Sequence, residues 1–159
     1  MWGNDPPSLQ PLGIKSRKKP RPGDVFTMRT ADGLYAFGRV VDNDAHILGV
    51  PGGLYLVYIY DHLGSEPSPP PLALMRPPRL MFGPRIINRT GWTRGYFETI
   101  THIDLTDDDV IRRHLFRDLD GSVWTEHGER VRWPRGPVQA RAVGNFLTIG
   151  DAVAQSRGD

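Results

Sequence analysis

Glycine and proline interrupt this chain at short intervals, with 18 Gly and 15 Pro among its 159 residues. Proline removes a backbone donor and clashes inside a helix, and glycine loses more backbone freedom on ordering than any other residue. Long helices are therefore disfavoured, and short strands joined by turns remain. The length fits one domain. Hydrophobic residues make up 38% of the chain, low for a globular protein but enough for one core.

Residues 25–29 and 34–41 are rich in β-branched and aromatic side chains, and Asp32-Gly33 between them suits a tight hairpin turn. On the second strand Tyr35, Phe37, Arg39 and Val41 share one face, and Leu34, Ala36, Gly38 and Val40 share the other. The small apolar face implies close packing, and Gly38 marks a bulge or a close backbone approach. Residues 42–53 read as a loop. Residues 54–60 are continuously apolar or aromatic, as in a central strand buried on both faces. Six prolines in 65–78 predict an extended surface connection. Strands are expected over 79–88 and 96–103, with a turn at Thr90-Gly91-Trp92. Thr106 or an Asp of the 107–109 run is expected to cap a short helix. Asp120-Gly121 predicts a second hairpin, residues 130–133 are expected to pair after the His127-Gly128 turn, and 138–154 to hold a strand and a short helix. The fold expected is mostly β with minor α: a twisted antiparallel sheet or partly open SH3-like barrel with one or two short helices.

The sequence pI near 9.1 invites a nucleic-acid reading, so the charge must be located. Five of the 20 basic residues (Lys15, Arg17, Lys18, Lys19, Arg21) and one of the 18 acids (Asp5) fall in residues 1–22, which leaves 15 bases against 17 acids. The basicity belongs to the leader, and the body is slightly acidic. Residues 1–22 read as a disordered, Pro-rich basic leader that contributes little to stability, 23–155 as a single mostly-β domain, and 156–159 as a flexible tail. The chain has no Cys, so disulfides and thiolate-ligated metals are excluded. The N-terminus lacks the form of a secretory signal, and the longest strongly apolar run is far too short to cross a bilayer. The expectation is a soluble cytoplasmic protein with no membrane partner.

The five His residues (46, 62, 102, 114, 127) are scattered, and none has the spacing that places two ligands on one helix face. His102 and Asp104 read as a chance pair. Asp107, Asp108 and Asp109 lack the alternation, glycine and distal Glu of a calcium loop, and Asp42-Asn43-Asp44 fails the same test. Residues 49–53 are Gly-rich without the Lys-Ser or Lys-Thr of a P-loop, and no nucleophile elbow is present. No catalytic residue, metal or cofactor is expected, although a site assembled only in three dimensions leaves no such trace. Trp92, set among Gly91, Thr93, Arg94 and Gly95, is a candidate interface anchor; the competing reading is that it covers one end of the core.

The segment Pro22-Gly23-Asp24-Val25-Phe26, followed by the run Asp32-Gly33-Leu34-Tyr35-Ala36-Phe37-Gly38-Arg39-Val40, resembles the opening of the immunity protein 26 family. The strand ending Tyr58-Ile59-Tyr60-Asp61 and the Gly91-Trp92 element are similar to later features of that family. The resemblance covers roughly residues 22–103. It implies a bacterial polymorphic toxin immunity protein, which binds and neutralises the C-terminal domain of a cognate toxin by stoichiometric complex formation and is not an enzyme. The candidate partner-binding residues are Asp42, Asp44, Trp92, Asp107, Asp108 and Asp109, the acids mimicking phosphates before a basic toxin face. The competing reading is that these acids cap a helix and solvate a turn. The alternative function is a small β-barrel nucleic-acid-binding module that uses the basic leader, a weak contact at most.

Overall fold

The computed structural model describes residues 8–47 and 50–157. Asp5 and the first leader prolines, Gly49 of the Gly-rich stretch, and residues 158–159 of the tail lie outside the described residues. The fold is mostly β, a curled half-barrel sheet with short helices. Its strands are β1 (Leu9–Gln10), β2 (Asp24–Thr30), β3 (Tyr35–Ile47), β4 (Val50–Gly64), β5 (Arg85–Ile87), β6 (Glu98–His102), β7 (Phe116–Arg117), β8 (Val123–Trp124), β9 (Arg130–Val131), β10 (Gln139–Ala140) and β11 (Val143–Gly144). Its helices are α1 (Thr90–Thr93) and α2 (Phe146–Ser156).

The large sheet runs β1-β2-β3-β4-β5-β11. One edge of β2 is shared, with β6 paired to Asp24–Thr27 and β1 to Arg29 and Thr30. The hairpin at Asp32-Gly33 forms as the sequence predicts, with Gly33 at φ 86°. β4 is central, as its apolar run requires. Its alternate residues Tyr55, Val57 and Ile59 enter the main core with Phe26, Met28, Val40, Trp92 and Phe97. On the other side Leu54 and Leu56 join a cluster with Ala45, Ile86 and Phe116, while Tyr58 and Tyr60 pack with Val25 and Met75. Both faces of the strand are thus dry, which is why no polar residue breaks the run. A Cβ on Gly38 would lie 2.6 Å from the Phe26 ring and 2.7 Å from the Tyr58 carbonyl, and the β3–β4 register shifts beside it. That glycine is both a bulge and a close approach.

A smaller sheet, β10-β7-β8-β9, packs Phe116 onto the large one. α2 closes the main core with Phe146, Ile149 and Val153. Asn145 caps it, accepting from the Leu147 and Thr148 amides at 2.9 and 3.2 Å.

Three expectations are corrected. Residues 42–47 and 50–53 are strand rather than loop, because β3 and β4 stay paired there through register shifts. From residue 8 the leader is seated on the fold: Leu9 is buried in the main core, and the Leu12 and Ser16 amides donate to the Gly95 and Trp92 carbonyls at 2.7 and 3.0 Å. Gly150 leaves room for Leu9, whose Cγ would lie 2.8 Å from a Cβ there. At the other end Ser156 still belongs to α2, and Arg157 grips the Asp32 carboxylate with contacts of 3.0 and 2.8 Å.

Candidate functional site

Two acidic features flank the large sheet. The first is the 3-10 turn Asp107–Asp109. Thr106 and Asp109 form a capping box, with the Thr106 amide and hydroxyl donating to one Asp109 oxygen at 2.9 and 3.0 Å. Asp109 is fully buried, and its carboxylate lies 3.5 Å from the equally buried Arg39 guanidinium and 3.4 Å from Arg76. Burial pushes the Asp109 pKa up, but the Thr106 hydrogen bonds and the two arginines outweigh it and hold it low. Arg39 donates to the Ile103 carbonyl at 2.7 Å. The strand that carries the apolar hairpin thus sends one cation inward to anchor the acidic turn. Asp107 and Asp108 remain exposed on its outer side.

The second feature is the far half of β3. Register shifts between Val40 and Ile47 break the ladder, and bulges of this kind re-aim side chains. Asp44 is exposed, Asp42 is half-buried and Ala45 is fully buried. The β8–β9 turn meets this arm: the His46 amide donates to the Glu126 carbonyl at 2.7 Å, and His127 Nε2 lies 2.6 Å from Asp42 Oδ2. Behind them a chain runs inward, with Glu126 3.2 Å from His114 Nδ1 and His114 Nε2 2.5 Å from the Tyr58 hydroxyl. The Ile111 amide donates to that hydroxyl at 2.9 Å. Burial pushes the Tyr58 phenol up to about 12. Burial also pushes Glu126 up, but the His114 hydrogen bond and the nearby histidines prevail and hold it below its ordinary value. At His127 burial disfavours the charged ring, and the Asp42 hydrogen bond with the nearby carboxylates raises its pKa.

The predicted site residues therefore separate. Asp42, Asp44, Asp107 and Asp108 reach the surface. Asp109 and Trp92 do not. Trp92 is 1% exposed, with ring centroids 5.0 Å from Phe26 and 5.1 Å from Phe97, and its indole donates to Thr99 Oγ1 at 3.2 Å. It is a core residue whose polar edge is satisfied internally. His102 is held on both ring nitrogens, by Asp24 at 2.7 Å and Asp104 at 2.9 Å. Lys15, Arg17, Lys18, Lys19 and Arg21 are exposed on the seated leader. His114 and His127 look merely scattered in sequence, and nothing there singles out Glu126. Asp42 and His127 are 85 positions apart, and only the packing of the small sheet on β3 brings them together. The adjacent Glu-His pair in a turn was the one trace available.

No helix among the described residues is long and apolar enough to cross a membrane. The family model for immunity protein 26 matches residues 21–122, well over half of the chain. No curated protein and no solved structure matches.

Proposed function

The chain belongs to the immunity protein 26 family, and from that premise we propose that it neutralises the C-terminal domain of a cognate toxin by forming a stoichiometric complex, without turnover. The observation that supports this best is the pinned acidic turn. Asp107 and Asp108 stand exposed on a segment fixed from within by the Thr106 capping box and the Arg39–Asp109 pair. Carboxylates held on a rigid support lose little freedom on binding. Asp44 is a further exposed carboxylate, on β3. A toxin that attacks nucleic acid presents cations to phosphates, and fixed carboxylates answer that pattern. Steering by such charges speeds encounter and weakens with salt.

The test is co-expression with the toxin domain encoded next to this chain, in a sensitive host, followed by co-purification. The expected result is rescue and a one-to-one complex. Asp107→Lys with Asp108→Lys, folded by circular dichroism, is expected to slow association and reduce its salt dependence. Absence of both rescue and complex would reject the inhibitor reading, whereas normal association by the double variant would reject only the acidic contact.

A further inference from the structure

Asp42, Glu126 and His127 each offer one ligand atom, and these atoms all lie within 4.8 Å of one another. A four-coordinate zinc ion with bonds of about 2.1 Å sets its ligands roughly 3.4 Å apart, so small side-chain movements close the present spacing around one ion. Two carboxylates balance the charge of a dication, and an imidazole nitrogen is a borderline donor suited to zinc.

The arrangement differs from that of the chain's other doubly flanked histidine. At His102 the two carboxylates sit on opposite ring nitrogens, Asp24 on Nδ1 and Asp104 on Nε2, so the three groups share no common point. At His127 the donors converge. Their support is also built. The Thr125 hydroxyl accepts from the His127 and Glu129 amides at 3.3 and 3.2 Å, Gly128 takes φ 79°, and the Glu126 carbonyl is tied to the His46 amide. Glu126 is further oriented by His114, itself held by Tyr58. Outer partners of this kind fix a ligand's direction and strengthen metal binding. The His127 side chain is 48% exposed and that of Asp42 21%, which leaves an entry path and room for a water ligand.

We propose that Asp42, Glu126 and His127 form a binding site for one divalent cation of the zinc class, which staples the β8–β9 turn to the far half of β3. Two of the three ligands lie beyond residue 122, outside the segment that the family model matches. Asp42 is also among the candidate toxin contacts, but ion binding is measured without a toxin, so its failure and that of the inhibitor proposal are distinguishable.

The full-length chain, stripped with a chelator, is titrated with Zn²⁺ against a chromophoric competitor and with Co²⁺ by visible absorption. One ion per chain is expected, with a cobalt d–d spectrum. Asp42→Asn and His127→Gln, each folded by circular dichroism, are expected to weaken binding by at least about tenfold, since even outer-partner changes cost 10–100-fold. His102→Gln is expected to bind like the parent. Absence of saturable binding, or binding undiminished in both ligand variants, overturns the proposal.

Discussion

Arg39 is the residue on which the interior of this protein turns. Its neighbours in sequence are those of an ordinary strand, yet its guanidinium is fully buried and faces a buried carboxylate. Removing one member of a buried ion pair leaves the other charged and desolvated, at a cost of about 3–5 kcal/mol. Asp109→Ala is therefore expected to lower unfolding free energy by roughly that amount, a large share of the 5–15 kcal/mol typical of a domain. Chemical denaturation measures it. A loss below about 1 kcal/mol would show that Arg39 finds other support.

At the scale of elements, the leader strand and α2 depend on each other. Leu9 is 2% exposed, and it lies where Gly150 leaves α2 without a side chain. The composition of residues 1–22 predicts a solvated tail because it is poor in apolar residues and rich in Pro and charge. What reverses this from residue 8 is one leucine with a prepared seat and a few main-chain hydrogen bonds to Gly95 and Trp92. Leu9→Ala is expected to cost about 2–5 kcal/mol. Deleting residues 1–16 is expected to lower the thermal midpoint by several degrees, measured by calorimetry. An unchanged midpoint would mean that β1 adds nothing to the fold.

For the whole molecule, pH sets the limits of stability through its histidine and carboxylate contacts. The His102 pKa is raised above its ordinary 6.5, through hydrogen bonds to Asp24 first and Asp104 second. A raised pKa means that the folded state prefers the proton, so this contribution is fully present below about pH 6.5 and fades as pH climbs through the raised value. Asp109 and Glu126 are lowered from 3.8 and 4.5, so their contribution is present above those values and fades as acid protonates the folded state. The thermal midpoint is expected to peak between these limits. His102→Gln is expected to flatten its alkaline decline. A parent midpoint that rises steadily from pH 6.5 to 9 would contradict this assignment.

Local order was legible in the residues themselves. Asp32-Gly33 and Asp120-Gly121 form their hairpins, the 54–60 run is the central strand, and Thr106 caps its turn, because each depends on neighbours within a few positions. The Pro-Gly-Asp-Val-Phe strand and the Gly-Arg-Val strand likewise carried the family, since they pair with each other across one short turn. Which side chains are exposed was decided elsewhere. Asp107 and Asp109 belong to one acidic run, yet one faces solvent and the other faces Arg39, 70 residues earlier in the chain. Trp92 sits in a turn whose residues fit either an interface anchor or a cover for the core, and the packing of Phe26 and Phe97 against it selects the core. Asp42 and His127 meet only because the small sheet docks on β3. Sequence fixes what a residue can do with its near neighbours, whereas burial and convergence arise from contacts between distant segments, which only the folded chain brings together.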